Sequence, residues 1–296
     1  MDLKLLNQKQ TGRASGPVHR VQTFSDFSEA RRLLEPWLLQ REAEHGLAIG
    51  ILRSLESGEH DYESPFVAAV LSENRIVGFA FRTPPHKLAI SDIPTEAIPG
   101  LVAEVRRAYD WIPAVLGPET AGTYFAAAWA ASIGCTARSG ARQRIYAARV
   151  AVLPEAPPEG QLRVASTEDT ELAVEWTASF VSETGLLPAN YDDHVRRLIA
   201  AEELYMWDDG QRRCMIGATA PTPSGIRIGY VYTPPANRDK GFASAATAHL
   251  TQLMLTRFDF CTLYTDLSNP TSNSIYQRIG YRPVADVSDI NFLPQG

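Results

Sequence analysis

The stretch GYVYTPPANRDKGFASAATAHL, residues 229–250, decides how the second half of this chain is expected to fold. A strand pattern runs into two prolines, and a turn with a single glycine, Gly241, comes directly before an alanine-rich helical pattern. The first amides of a helix have no partner within the helix and lie at the positive end of its dipole. Because glycine lets the backbone approach a ligand closely, the stretch predicts a phosphate site. Arg238 and Lys240 add positive charge beside it, and Ser244 adds a hydroxyl donor.

Composition excludes several classes of function. The 296 residues include 28 basic and 34 acidic side chains, which is not the cationic balance of a nucleic-acid-binding protein. The three cysteines are far apart and have no histidine at metal-binding spacing, so neither a disulfide framework nor a metal site is predicted. The apolar run at residues 122–134 is too short to cross a bilayer, and the polar start lacks a signal-peptide core. We therefore predict a cytoplasmic protein with no membrane and no nucleic-acid partner.

The chain divides most clearly at LPEAPPEG, residues 153–160, which is typical of an interdomain linker. Residues 65–91 and 204–233 both predict strand, turn, strand, turn and strand at nearly the same spacing, and each half begins with a strand followed by helices. This internal similarity favours a tandem duplication, with chance similarity of two α/β segments as the alternative. The predicted parts are a flexible N-terminus (1–18), an N-terminal domain (19–152), the linker and a C-terminal domain (161–296).

A second motif lies downstream of the glycine turn. The strand, helix and strand at residues 226–267 predict a right-handed βαβ unit with parallel pairing. In the following SNPTSNSIYQRIGYRPV, Asn269 is a plausible helix N-cap, Pro270 suits the first helical position and Gly280 ends the helix. Tyr276 lies within that short helix, where it could also be an ordinary core aromatic with a polar tip.

The order of these two motifs resembles the GNAT superfamily of acyl-CoA-dependent N-acetyltransferases. The family's phosphate motif, Q/R-x-x-G-x-G/A, is matched by Arg238, Gly241 and Ala243, and its later signature is matched by Asn269, by Tyr276 and by the Gly-Tyr pair at 280–281. The resemblance covers residues 161–296 well and reaches the first half only through the duplication. It implies an α/β fold, an α+β mixed sheet, in two tandem GNAT-like domains, each a central mixed β-sheet flanked by helices.

The resemblance also assigns roles to residues of this chain. It implies acetyl-CoA as co-substrate, and its pyrophosphate would be cradled beside Arg238 by the amides of Asp239, Lys240, Gly241, Phe242, Ala243 and Ser244. The backbone of Val231, Tyr232 and Thr233 would bind the pantetheine arm in a gap between two parallel strands. Asn269 belongs to the same motif, and Asn273 either contacts the pantetheine or caps the structure. Tyr276 would donate a proton to the departing thiolate.

The acceptor side is less defined. An attacking amine must lose a proton, and Glu183, Asp208 and Asp209 are candidate bases, although each also suits an ordinary surface acid. The histidines show no shared spacing and offer no competing site.

The first half departs from the family pattern. Its segment AIPGLVAEV keeps Gly100 where the duplication places the phosphate turn, but Ala97 and Val102 replace the basic and small residues. Pro99 removes an amide donor, and Tyr124 is shifted relative to the helix-closing glycine. We expect a degenerate copy that supports the active domain.

These observations predict an N-acetyltransferase that moves an acetyl group to a primary amine by direct attack in a ternary complex. The acceptor would be a small-molecule or peptide amine, and the protein a monomer or homodimer. A non-catalytic acyl-CoA-binding module, or a regulatory or interaction protein, is the alternative.

Overall fold

A computed structural model describes residues 18–58, 62–184 and 191–294. The predicted flexible N-terminus, except for its last residue, lies outside these ranges. So do His60 and the six residues between Thr184 and Tyr191.

The described residues of the N-terminal half, 18–58 and 62–148, form six strands and four α-helices. They are β1 (His19–Thr23), α1 (Phe27–Leu38), α2 (Glu42–Ser57), β2 (Phe66–Ser72), β3 (Arg75–Arg82), β4 (Leu88–Ile90), α3 (Ile98–Ala108), β5 (Ala114–Gly117), α4 (Glu119–Ile133) and β6 (Thr136–Ala148).

The C-terminal half, residues 161–294, repeats this order of elements. They are β7 (Gln161–Val164), α5 (Thr170–Thr184), α6 (Tyr191–Ala200), β8 (Leu204–Asp208), β9 (Arg212–Thr219), β10 (Gly225–Tyr232), α7 (Phe242–Met254), β11 (Phe260–Asp266), α8 (Pro270–Ile279) and β12 (Arg282–Leu293). The repeated order agrees with the similarity between the two halves seen in the sequence.

The twelve strands of the described part of the chain form one mixed sheet in the order β1-β2-β3-β4-β5-β12-β6-β11-β10-β9-β8-β7. The two halves exchange their last strands at its centre: β12 pairs with β5, and β6 pairs with β11, both antiparallel. The strands β6 and β12 also pair with each other along most of their length. The mixed α/β architecture is therefore as predicted, but the two central sheets are joined into one.

The sheet has helices on both sides. In the C-terminal half, α7 and α8 pack on what we call the back face, with Ile226, Ile228 and Leu263 in their core. The helices α5 and α6 pack on the opposite, front face around Trp176 and Tyr232. The helix α2 of the N-terminal half extends over the front face and contacts β10. Among the described residues, no helix combines the length and apolar character needed to cross a membrane.

Residues 149–160 connect the halves without helix or strand and are held against the C-terminal half. The amide of Val152 donates to the carbonyl of Ile279 at 2.7 Å, and Trp207 Nε1 donates to the carbonyl of Glu159 at 3.0 Å. This segment contains the predicted linker, and the division of the chain into separate domains on either side of it stays a prediction.

Candidate functional site

The strands β10 and β11 separate at their carboxyl ends. They pair in parallel only at three positions, from Gly225–Phe260 to Arg227–Thr262, although β10 continues to Tyr232 and β11 to Asp266. A register shift between Gly229 and Tyr232 marks a β-bulge against β9, and Tyr230 within it has a φ of 52°. A bulge bends its strand and frees backbone groups from the ladder. The result is an opening in the sheet that we call the gap.

The bulge also changes which residues face each side. Ile228 packs in the core beneath α7, yet Tyr230, two residues later, packs with the core of α5 and α6. Val231 returns to the back face and Tyr232 to the front face. Because side chains alternate along a regular strand, one extra residue shifts the alternation at this point. The predicted pantetheine-binding backbone, Val231 to Thr233, follows the bulge directly.

The predicted phosphate turn lies at the amino end of α7. Gly241 is the N-cap with a φ of 82°, in the left-handed region that glycine adopts without strain, and Asp239 has a φ of 62°. No side chain among the described residues caps this helix. The backbone N–H groups of Phe242, Ala243 and Ser244 are thus open to an external acceptor, which is the arrangement that binds anions at helix amino ends.

The two basic residues of the turn make internal contacts. Arg238 donates through Nε to the carbonyl of Thr233 at 2.9 Å and pairs with Glu183 at 2.7 Å, which raises the pKa of the guanidinium. Lys240 Nζ donates to the carbonyl of Ala236 at 2.8 Å. Arg238 therefore joins the end of β10 to α5 across the turn. Direct contact of these two side chains with a pyrophosphate stays a prediction.

The short helix α8 begins and ends as its sequence predicts. Asn269 accepts from the amide of Ser272 at 3.0 Å, and Gly280 ends the helix in the left-handed conformation. Asn273 donates to the carbonyls of Asp266 and Asn269 and accepts from the hydroxyl of Tyr146 on β6. These contacts use both of its amide hydrogens, so Asn273 caps the structure here.

Tyr276 lies on α8, on the back face of the gap. Its ring packs edge-on against Tyr281, with 6.1 Å between the ring centroids. Burial, followed by the nearby Cys214, raises the pKa of Tyr276 to about 12. The hydroxyl is therefore protonated at neutral pH, as a proton donor must be.

The three predicted bases all form ion pairs. Asp208 pairs with Arg163 at 2.8 Å and Asp209 with Arg213 at 2.8 Å, and these hydrogen bonds lower the pKa of both carboxyls. Glu183 pairs with Arg238. Lowered pKa values make Asp208 and Asp209 weaker proton acceptors, so their geometry favours a structural role.

The N-terminal half lacks the phosphate turn. Gly100 lies inside α3, whereas the duplication had placed it at the turn before that helix. The single-turn helix Thr95–Ala97 leads directly into α3 at Ile98, while four residues separate Pro235–Asn237 from α7. The sequence alignment of Gly100 with Gly241 was wrong because it did not account for these four extra residues. Tyr124, on α4, is 56% exposed.

Two groups on the front face were not identified from the sequence. His194 Nε2 lies 2.7 Å from the hydroxyl of Tyr230, and Arg197 donates to His194 Nδ1 at 2.9 Å. Arg227, the last residue of β10 that pairs with β11, lies with Tyr264 in a cleft beneath α2. His194 and Tyr230 are 36 residues apart, so no local spacing reveals their contact. In the sequence, the bulge is marked only by the adjacent Gly229 and Tyr230, which come a few residues before the two prolines.

Comparisons with known proteins agree with this geometry. Residues 211–288, which include β9 to β11 and the glycine turn, match the family model described as FR47-like protein. A GCN5-related N-acetyltransferase from Sphaerobacter thermophilus is similar in structure with a TM-score of 0.63 at 17% identity, over 94% of this chain and 95% of that one. No curated protein sequence matches the chain.

Two further structures cover the whole architecture. A GNAT-family acetyltransferase from Colwellia psychrerythraea has a TM-score of 0.57 at 15% identity, over 93% of this chain and all of that one. A tandem GNAT protein from the clavulanic acid biosynthesis pathway has a TM-score of 0.54 at 10% identity, over 94% of this chain and 99% of that one. The chain has the fold of the GNAT superfamily of acetyltransferases, in a tandem form.

Proposed function

We propose that this protein is an N-acetyltransferase that transfers the acetyl group of acetyl-CoA to a primary amine by direct attack in a ternary complex. The observation that carries the proposal is the separation of β10 from β11 directly before a helix amino end that no described side chain caps. The activity of fold relatives is consistent with it. As the sequence predicts, the proposed setting is the cytoplasm and the proposed assembly is a monomer or homodimer.

The residues around the gap fit a coenzyme A thioester. The open amides from Asp239 to Ser244 would bind the pyrophosphate, because Gly241 leaves room for it and the helix dipole favours negative charge. The backbone N–H and C=O groups of Val231, Tyr232 and Thr233 would hydrogen-bond the pantetheine arm, because β11 does not pair with this part of the chain. The bound group supplies an activated acyl carbon, and an amide near the bulge would stabilise negative charge on its oxygen.

Tyr276 would act as the proton donor on the back face. The amine nitrogen bonds to the carbonyl carbon, the carbon–sulfur bond breaks, and the tyrosine hydroxyl gives its proton to the leaving sulfur. The amine loses one proton to solvent, and solvent returns one to Tyr276. Holding amine and thioester together contributes about 7–11 kcal/mol in well-oriented cases, so positioning supplies much of the rate enhancement.

The test is acetyl transfer by the purified chain. Acetyl-CoA is incubated with a panel of primary amines, and both free thiol and acetylated amine are measured by mass spectrometry. We expect both products in equal amounts, intersecting initial-rate lines and no acetylated enzyme. Acetyl-CoA binding without transfer to any amine would favour the acyl-CoA-binding alternative, and absence of binding would contradict both.

A further inference from the structure

The front face of the gap contains an arginine without an ionic partner. Arg227 is half-buried at the last position where β10 pairs with β11. It lies with Thr262 and Tyr264 in a cleft that α2 covers. Across residues 18–58, 62–184 and 191–294, no carboxylate forms an ion pair with its guanidinium and no acceptor receives a hydrogen bond from it. Three other arginines of this half, Arg163, Arg212 and Arg213, all pair with aspartates. An unpaired charge in a partly buried position indicates that an anion from outside the protein completes it.

A hydrogen-bond donor next to Arg227 is fixed in place by two other side chains. Arginine carries only donors, so His194 Nδ1 must accept from Arg197, and a neutral imidazole then has its hydrogen on Nε2. That Nε2–H donates to the Tyr230 oxygen at 2.7 Å. The tyrosine's own hydrogen is left over, and no acceptor among the described residues receives it.

The charge and the donor lie on the same face of β10: Ile226 and Ile228 pack on the back face, which leaves Arg227 on the front, and Tyr230 packs with the front-face core. Burial raises the pKa of Tyr230 and that of Tyr264, and in both cases the positive charge of Arg227 acts against the increase. Of the two tyrosines, Tyr264 lines the same cleft as Arg227. Glu203 acts in the other direction on Tyr230 and Glu44 does so on Tyr264, and Glu42, which also lines the cleft, accepts from the amide of Ser224 at 2.7 Å. Glu44 is already paired with Arg41 at 2.5 Å, so it does not neutralise Arg227.

We propose that Arg227 and Tyr230 bind a carboxylate of the acceptor, so that the amine substrate is an amino acid. This deepens the proposed function and rests on it. A guanidinium offers parallel N–H groups that match a carboxylate, and the Tyr230 hydroxyl adds a third donor. The carboxylate would be held on the front face while the amino group reaches the gap, opposite Tyr276 on the back face.

The experiment compares amines that differ only in the carboxylate. The twenty standard L-amino acids are tested with acetyl-CoA, and each one that reacts is paired with its decarboxylated amine, such as L-phenylalanine with 2-phenylethylamine or L-lysine with cadaverine. We expect kcat/KM to be about 10- to 100-fold higher for the amino acid of each pair. Arg227→Gln should remove this preference, mainly by raising KM. Tyr230→Phe should reduce the preference less.

Two controls make the outcome decisive. Arg32→Gln changes an exposed arginine on α1 and should leave every value unchanged. Acetyl-CoA affinity, measured by calorimetry, should stay within about twofold in both front-face variants, because these residues contact the acceptor and not the coenzyme. Equal rates for amino acids and their decarboxylated amines, or reaction with the amines alone, would overturn the proposal and leave the acetyltransferase standing. If the native chain did not bind acetyl-CoA at all, this result would instead contradict the proposed function itself.

Discussion

The two halves of this protein share an order of elements and a sheet, yet they differ at the point where a ligand would bind. In the C-terminal half, β10 and β11 separate and a four-residue turn ends at Gly241 before α7. In the N-terminal half, β4 and β5 stay close at the equivalent end. A Cβ on Gly117 would lie 2.7 Å from the carbonyl oxygen of Ile90, so the strands approach as closely as glycine allows. The bulge in β10 and the four-residue turn before α7 thus distinguish the open gap of the C-terminal half from the closed strand ends of the N-terminal half.

The comparison also shows how a degenerate copy can remain necessary. The strand β6 of the N-terminal half pairs with β11 and, through Tyr146, hydrogen-bonds Asn273 on α8. The helix α2 covers the front-face cleft. The N-terminal half therefore supports the helix that carries Tyr276 and forms one wall of the proposed acceptor site.

The largest expected effect is on coenzyme binding through Gly241. Gly241→Asp introduces a carboxylate where the pyrophosphate should lie, and like charges in contact cost several kcal/mol, so acetyl-CoA affinity should fall by more than about 100-fold. Gly241→Asn has nearly the same shape and backbone strain without the charge, and it should retain more affinity. Calorimetry measures both. Equal losses in the two variants would mean that strain, and not charge at a phosphate site, is responsible.

The next effect concerns the proton donor. Tyr276→Phe should lower kcat by about 100-fold while acetyl-CoA affinity stays nearly unchanged, since general acid catalysis typically contributes at least this factor. Because the pKa of Tyr276 is about 12, kcat of the native protein should show no loss from its ionisation below about pH 11. Tyr124→Phe, on the matching helix of the other half, is the control. If the kcat of Tyr276→Phe equals that of the native chain across pH, the tyrosine is not the acid.

The third effect is on stability and compares a buried carboxylate in each half. Asp169 is fully buried and bound by Arg163, Arg212 and the amide of Ser166. Glu35 is bound by Arg31 and Arg53 but is more exposed. Asp169→Asn should lower the free energy of unfolding by about 3 kcal/mol, because it removes a fully buried carboxylate charge that two arginines bind, and Glu35→Gln should lower it by about 1 kcal/mol.

Acid should act on the same two carboxylates. Burial raises the pKa of both carboxyls in the folded state, but the arginines bound to them lower it, and the net shift is downward. A carboxyl of this kind stabilises the folded protein fully at pH values above its pKa in the unfolded chain, which is about 4. This stabilisation is lost as the pH falls towards and through the lower pKa that the carboxyl has in the folded protein. Urea unfolding at pH 7 and pH 3 should therefore show the cost of Asp169→Asn shrinking in acid. An equal cost at both pH values would contradict the ion-pair account.

The smallest expected effect tests the closed gap. Gly117→Ala places a methyl group against Ile90 and should lower the free energy of unfolding by about 1–3 kcal/mol. Acetyl-CoA affinity should not change, because we propose that the coenzyme binds in the C-terminal half. Thermal unfolding and calorimetry measure the two quantities. Altered coenzyme affinity in this variant would mean that the two halves are not functionally distinct.

The parts of the structure that depend on local sequence could be predicted. Asn269, Pro270 and Gly280 define the limits of α8, and the strands and crossover helix around Gly241 follow from short patterns. The exchange of β6 and β12 could not be predicted, because alternation specifies which residues of a strand are buried and not which strand is its neighbour. For the same reason the pairing of Arg238 with Glu183, 55 residues earlier, was not foreseen.

The acceptor side shows a different limit. Tyr230 contacts His194 and lies on the same face of β10 as Arg227 because a bulge turns this tyrosine to the other face of the sheet. A single-residue shift in alternation leaves almost no trace in composition or spacing. Residues of this kind are found only when their contacts and unmet hydrogen bonds are examined in three dimensions.

The most direct test of the difference between the halves is the stoichiometry of acetyl-CoA binding to the native chain. Calorimetric titration should give one binding site per chain, and Gly241→Asp should abolish it, because among the described residues the C-terminal half alone has an open gap and a glycine turn. Two sites per chain, or one site that persists in Gly241→Asp, would show that the N-terminal half binds the coenzyme and would contradict the account.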